Sequence, residues 1–270
     1  MTLDGSTCII TGAARGIGYA LADRFLAEGA AGVTIVDLDP ADCATAADQL
    51  RQTHGDRVLD HAADVSDQAE VEAVVARTEE RFGPVDLFAA NAGIGTGMGL
   101  DAPDEVWDRT WRVNTLAHVV AARVVVPGML ERGGGTFLTT ASAAGILSQI
   151  GDAPYSVTKH AAVAFAEWLA ITYGDQGLRV HCLCPQGVNT DLLRGGAEAS
   201  TAVETVTMQG VIEPEAVAAS VVEALADGHF LVLPHPEVTT YAQRRAGDPD
   251  RWLKGMRKLQ ALVLGGAAGG

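Results

Sequence analysis

Tyr155 and Lys159 stand four positions apart, just after a proline at position 154 that suits the first turn of a helix. Residues i and i+4 of a helix share a face, so the phenol and the ammonium lie side by side. A phenol ordinarily ionises near pH 10 and is a poor base at neutral pH. A cation about 4 Å away, at an effective dielectric of about 20, is worth about 4 kcal/mol, or roughly three pKa units. A tyrosine lowered in this way would take a proton during alcohol oxidation and return it during carbonyl reduction. Ser142, thirteen residues upstream at the end of an apolar run, can hydrogen-bond the reacting oxygen as it gains alkoxide character. Asn114 falls inside a long helical stretch, where its carboxamide can disturb the hydrogen-bond ladder and hold a water that relays protons to Lys159. On an arbitrary helix, Tyr-x-x-x-Lys is ordinarily packing beside a solvated charge. The serine upstream and a glycine turn near the start of the chain favour the chemical reading.

That turn is Thr11-Gly12-Ala13-Ala14-Arg15-Gly16-Ile17-Gly18, between an apolar run and a helical pattern. Glycines let the backbone turn sharply and come close to a ligand, and the helix that follows offers free N–H groups and a positive dipole end to a pyrophosphate. The spacing Gly-x-x-x-Gly-x-Gly differs from the Gly-x-Gly-x-x-Gly fingerprint. Asp37 ends the second apolar run, 19 positions after Gly18. A carboxylate there accepts both ribose hydroxyls of NAD and repels a 2′-phosphate. Arg15 argues for NADP, but a guanidinium has no obligatory phosphate, whereas two anions at one ribose conflict directly. NAD is expected, NADP less so.

These residues need elements to hold them. Short apolar, β-branched runs predict strands over Thr7–Thr11, Val33–Asp37, Arg57–His61, Val85–Ala90, Gly135–Ala141, Leu178–Cys184 and Phe230–Leu233. Helical patterns fill Gly16–Glu28, Ala41–Gln52, Asp67–Arg81, Pro103–Leu130, Ala153–Tyr173 and Pro214–Ala226. The alternation implies a Rossmann-type, doubly wound parallel sheet of about seven strands in one α/β domain, residues 1–234. Residues 235–270 form a tail with a short helix near Asp250–Ala261, ending in a disordered Gly265–Gly270. The stretch Leu192–Ile212 is long, rich in small residues and without a strand pattern, as a lid would be.

The chain has 270 residues, 48% of them hydrophobic and 20% charged, enough to bury a large core. Its net charge of −15 opposes binding to nucleic acid or an anionic membrane. Four cysteines are too few for a disulfide framework, no signal peptide is visible before Asp4, and no long uncharged apolar run suggests a span, so a cytoplasmic protein is expected. His181-Cys182-x-Cys184 resembles a ligand cluster, but strand alternation separates His181 from the two thiols, and no second pair stands at zinc spacing. No metal is expected.

In this setting the sequence resembles the short-chain dehydrogenase/reductase family, in its shorter soluble branch. The likeness runs over about residues 5–234 through Thr11–Gly18, Asp64-Val65, Asn91-Ala92-Gly93, Asn114, Ser142, Tyr155-x-x-x-Lys159 and Pro185 to Thr190. The resemblance implies that Asp64 accepts from the adenine amino group with Val65 beside it. Asn91, Ala92 and Gly93 would brace the sheet and border the cofactor, and Pro185, Val188 and Thr190 would follow the nicotinamide, Thr190 at its carboxamide. Lys159 would hold the nicotinamide ribose, and Asn114, Ser142, Tyr155 and Lys159 would form the catalytic set. The family usually has Pro-Gly where this chain has Pro185-Gln186. A glutamine there enters or borders the substrate pocket, otherwise expected to include Ile94, Ile146, Gln149 and Leu192. The substrate expected is a mainly apolar secondary alcohol or ketone. Two greasy stripes on the long helices (Val113, Leu116, Val119, Val120 and Val124; Val163, Phe165, Trp168, Leu169 and Ile171) suit the subunit interface of a homodimer or homotetramer, with cover by the tail as the alternative. The rival readings are a non-catalytic nucleotide sensor, an NADP-preferring ketoreductase, and an epimerase or dehydratase. The first need not keep Ser142, Tyr155 and Lys159, and the last generally needs a larger C-terminal domain. Between Tyr241 and Lys258, six basic residues face two acidic ones, so this stretch is +4 and the rest of the chain −19. Trp252, Met256 and Leu259 add an apolar stripe, and the tail is expected to dock near the substrate mouth.

Overall fold

The computed structural model describes residues 1–194, 201–208 and 210–267. Runs that are apolar on both faces fold as the parallel strands β1 (Thr7–Thr11), β2 (Gly32–Asp37), β3 (Val58–Ala62), β4 (Leu87–Ala90), β5 (Gly135–Thr140) and β6 (Leu178–Leu183). A separate parallel pair, β7 (Gly187–Val188) and β8 (Val211–Ile212), lies outside the main sheet, which β9 (Leu231–Val232) completes. The order β3-β2-β1-β4-β5-β6-β9 reverses direction between β1 and β4, and the crevice at such a switch point is where ligands bind in open α/β sheets. The fold is the single-domain, doubly wound α/β sheet expected.

Alternate residues of each strand feed two cores. Ile10 joins helices α1 (Gly16–Ala27) and α2 (Pro40–His54), while Ile9 faces α3 (Gln68–Phe82) on the other side. That second core also takes α4 (Asp104–Trp111), α5 (Ala117–Glu131) and α6 (Ala153–Tyr173). After β7 come α7 (Asp191–Arg194) and α8 (Thr201–Met208), then α9 (Pro214–Asp227), α10 (Glu237–Gly247) and α11 (Pro249–Ala267). Helix α9 packs on α1, so that Val217, Val221 and Leu225 share a core with Leu21 and Phe25. The stretch Asp104–Glu131 has the length and hydropathy of a membrane span, but more than half of its most apolar window is buried inside the protein. Val120, Ala121, Val125 and Met129 pack with Phe88 and Phe137 of the sheet, which makes it a core helix here.

Several expectations need correction. The helix expected over Pro103–Leu130 is interrupted by a π-helical turn at Arg112–Leu116, centred on Asn114. The strand expected from Val85 starts at Leu87, and the one expected over Phe230–Leu233 shrinks to two paired residues. The stretch expected to lack a strand pattern ends in the two-residue strand β8, with α7 and α8 before it; its residues 195–200 and 209 lie outside the described residues. The tail holds two helices rather than one, and α11 runs through Gly265 to Ala267, so the disorder expected from Gly265 is not found there; residues 268–270 lie outside the described residues.

Candidate active site

The end of β1 is held open for a ligand. Gly12 turns with φ +62°, and a Cβ on it would come 2.8 Å from the Ala92 Cα. A Cβ on Gly18 would overlap the Gly12 carbonyl oxygen. Asn91 ties the two strand ends across the switch point, donating from Nδ2 to the carbonyls of Thr11 (2.9 Å) and Gly12 (3.2 Å). The Thr11 hydroxyl accepts from the backbone N–H groups of Asn91 and Ala92. Asn91 Oδ1 is buried without a partner in the protein. Ile17 packs partly buried at the start of α1, and Thr190 lies beside Gly16, where an added Cβ would meet its methyl at 3.0 Å. A backbone cradle that side chains would fill, with a buried amide oxygen beside it, fits the pyrophosphate and nicotinamide end of a dinucleotide.

At the far end of the cradle, Asp37 accepts from the backbone N–H of Ala14 (3.0 Å) and of Leu38 (2.8 Å), which fixes its carboxylate beside the glycine turn. Arg15 is already paired, 2.6 Å from Asp42 and 3.7 Å from Asp191. Asp64 is exposed and accepts from the backbone N–H and hydroxyl of Ser66. Its neighbour Val65 lines a small apolar void with Thr11, Ala92 and His118. His118 is fully buried with neither ring nitrogen hydrogen-bonded, and burial, helped by the charge of Lys159, pulls its pKa down to about 3.

The proposed chemical groups meet where β5 ends and α6 begins. Pro154 falls in the first turn of α6, and the Asp152 side chain caps that helix by accepting from Tyr155 N (3.0 Å). The same carboxylate accepts from Thr96 N, Gly97 N and Thr96 Oγ1, all within 2.7 Å, and so anchors the loop after β4 to the start of α6. Asp152 was not singled out in the sequence. An aspartate just ahead of Ala-Pro is an N-cap signal that would have found it.

Ser142 accepts from Ala144 N (3.1 Å) and donates toward the Pro185 carbonyl (3.4 Å). Asn114 is fully buried: Oδ1 accepts from Ile94 N (2.8 Å), and Nδ2 donates to the Ile94 carbonyl (2.9 Å) and to Thr158 Oγ1 (3.1 Å). The carboxamide does disturb the helix ladder, but both its N–H groups are spent on the protein. Lys159 is buried and donates to the Thr140 carbonyl at 2.9 Å. Its Nζ and Asn114 Oδ1 both border Gly93, where an added Cβ would meet them at 3.1 and 3.3 Å.

The electrostatics of the pair differ in sign from the expectation. Burial pushes the Tyr155 phenol up to about 12, against a hydrogen bond from Ser142 that works to lower it. Burial also pulls Lys159 down to about 8. The expected lowering of Tyr155 presumed an ammonium about 4 Å from the phenol. Lys159 Nζ donates to the Thr140 carbonyl and sits 5.7 Å from the Tyr155 ring centroid, and at the phenol desolvation outweighs the favourable contacts.

Next to Ser142 opens a cavity of about 230 Å³. Its floor is Ala143, Ala144 and Leu147, its side is Gln149, Ile150, Gln186 and Thr205, and its cover is Tyr241, Trp252, Met256 and Leu259 from the tail. Gln149 and Gln186 line it, whereas Ile94, Ile146 and Leu192 do not. Ile94 is drawn away by Asn114. Ile146 packs between the second core and the tail, and Leu192 is half exposed near Gly95. His235 fastens the tail: Nδ1 accepts from Gln186 N (3.1 Å), and Nε2 donates to the Gly187 carbonyl (3.0 Å). The tail covers this cavity and not the greasy helical stripes, so Trp111, Leu116, Val157, Trp168 and Ile171 remain exposed. Cys182 and Cys184 are buried with sulfurs 3.8 Å apart, and no cluster of three or more potential metal ligands occurs among the described residues.

The profile of the short chain dehydrogenase family matches residues 6–200. A 3beta-hydroxysteroid dehydrogenase of Eggerthella lenta is 33% identical over 229 residues, covering 81% of this chain and 87% of that protein. Among solved structures, a short chain dehydrogenase/reductase of Burkholderia phymatum in complex with NAD superposes with a TM-score of 0.85 at 29% identity, covering 93% of this chain and 96% of that one. L-sorbose reductase of Gluconobacter frateurii, complexed with NADPH and L-sorbose, superposes with a TM-score of 0.73 at 30% identity, covering 83% and 91%.

Proposed function

The chain belongs to the short-chain dehydrogenase/reductase family, and from that premise we propose that it interconverts a secondary alcohol and a ketone with NAD, using Tyr155 as general acid and base. The family makes it an oxidoreductase acting on CH–OH groups, and its structural neighbours carry NAD or NADPH. What supports the finer reading is Ser142 close enough to Tyr155 to oppose the rise of its phenol, with Lys159 buried on the Thr140 carbonyl, a cavity that begins at the neighbouring Ala143, and the glycine cradle alongside.

The chain's residues then divide the work. Gly12, Arg15, Gly16, Ile17 and Gly18 would border the pyrophosphate, Asp37 the adenine ribose, and Asp64 and Val65 the adenine. Asn91, Ala92, Gly93, Pro185, Val188 and Thr190 would border the nicotinamide end, with Lys159 at its ribose. When bound, the nicotinamide accepts or gives the hydride. Ser142 orients the substrate oxygen and donates to it as negative charge develops. Tyr155, protonated at neutral pH with its raised pKa, is set to give its proton to a carbonyl oxygen during reduction. In the oxidative direction Tyr155 must first lose its own proton, and the phenolate then takes the proton of the hydroxyl as the hydride leaves the carbon. Asn114 positions Ile94 and the α6 residue Thr158, and thereby the wall beside Lys159.

NAD is favoured over NADP because a 2′-phosphate would meet Asp37, while Arg15 is already engaged by Asp42. The exposed Trp111, Leu116, Val157, Trp168 and Ile171 suit a homo-oligomeric contact. Absorbance of NADH formed from a panel of secondary alcohols tests the reaction. Turnover is expected, with kcat/KM for NAD at least about tenfold above that for NADP, a difference of about 1.4 kcal/mol. Binding of NAD without turnover of any alcohol would favour the nucleotide sensor, and a preference for NADP would show that Arg15 decides.

A further inference from the structure

We propose that the cavity takes an apolar substrate whose far end carries an anion, a carboxylate or sulfonate, and that Arg245 selects it. The inference rests on the alcohol–ketone reading above, because it places the reacting carbon at Ser142 and the rest of the molecule under the tail. Floor and cover are apolar through Ala143, Leu147, Trp252, Met256 and Leu259, which suits a hydrocarbon body.

Arg245 stands four residues, one helical turn, after the cavity-lining Tyr241 on α10. It is half-buried and donates from Nη1 to the carbonyl of Ile146, at the start of the loop that forms the cavity side. A guanidinium has five N–H donors in a planar fork shaped for a carboxylate, and this bond uses one of them. Among the described residues no carboxylate pairs with Arg245, although the chain carries an excess of acids. A half-buried cation one helical turn from a lining residue, oriented by a neutral carbonyl and unpaired with a carboxylate among the described residues, has donors to offer an anionic ligand.

The mouth repeats the pattern. Gly255 lines the cavity and is exposed. Its helical neighbours at i−4 and i+3 are Arg251 and Lys258, both exposed and without ion pairs among the described residues. The packed helix α8 contributes one carboxylate, Glu204. The region is positive on a chain of net charge −15, which draws anions toward the opening and away from the rest of the surface.

Calorimetric titration of the full-length protein with octanoate, octanesulfonate and octanamide tests this without turnover. At least one of the anions is expected to bind about tenfold or more tightly than the amide, with added salt weakening the anion alone. Which anion is preferred separates carboxylate from sulfonate. Arg245→Gln should erase the preference and leave the amide affinity within about twofold, while Arg245→Lys keeps part of it. Equal affinity of the native protein for anions and amide would overturn the proposal even if no variant folds, and so would a preference that survives Arg245→Gln. Because the readout is binding, absence of dehydrogenase activity would sink the reaction and leave the anion preference standing, and equal binding would do the reverse.

Discussion

Below the cavity, Ser142, Tyr155, Lys159 and Asn114 are fixed by short polar contacts to backbone: Thr140 and Ile94 carbonyls, the Ile94 N–H, and the Asp152 cap. Above it, Tyr241, Trp252, Met256 and Leu259 face the same space with side chains that are partly exposed, joined to the body through His235 and Arg245. This lower set, beneath the apolar floor, is held by directional bonds among mostly buried groups. The cover is held mostly by apolar contact, which tolerates change in size and shape. A fixed reaction and an adjustable substrate follow from that difference.

The contrast can be broken most sharply at the floor. Tyr155→Phe keeps the ring and removes the proton carrier, so kcat should fall by about 10³ or more while NADH still binds. Turnover within about tenfold of the parent would remove Tyr155 from the chemistry. Asp152→Ala strips the acceptor shared by Thr96, Gly97 and Tyr155, and thermal unfolding should report a loss of about 3 kcal/mol. A cost below about 1 kcal/mol would show that the loop holds without it.

His118 offers a test through pH. In the fold it stays neutral down to about 3, whereas in the unfolded chain it protonates as pH falls through about 6.5. Its penalty is therefore absent above about pH 6.5 and grows as pH drops, reaching about 2 kcal/mol at pH 5. His118→Leu should flatten the acid limb of a stability–pH curve, and parallel curves for parent and variant would contradict the buried, unpaired ring. The smallest effect belongs to the cover. Trp252→Ala should raise KM about tenfold and leave kcat within about twofold, the loss of apolar contact alone. A fall in kcat as large as that from a floor variant would mean that the two regions act as one.

The same division explains what could be read in the sequence. The strands were legible because a run buried on both faces has little choice of residue, as in Thr7–Thr11 and Gly32–Asp37. Tyr155, Lys159 and Ser142 were legible because helix spacing places the pair and a strand end places the serine. The direction of the Lys159 ammonium was not, since the Thr140 carbonyl that attracts it lies on another element. Nor was the depth at which Tyr155 lies, and it is burial that raises its phenol. Asn114 could be seen to perturb its helix, but that the perturbation takes the form of a π turn depends on Ile94, twenty residues away. The apolar stripe Trp252, Met256 and Leu259 was visible, whereas its seat against Leu147 depends on packing that no local pattern encodes.

The packing of α9 against α1 also sets an order of events during synthesis. The glycine turn and its helix leave the ribosome well before α9, so the apolar side of α1 that takes Val217, Val221 and Leu225 has no cover until those residues follow. At roughly 5–20 residues per second, that interval is on the order of ten seconds or more. Throughout it Leu21 and Phe25 lack part of their final surroundings, and the glycine turn sits on a helix whose packing is unfinished.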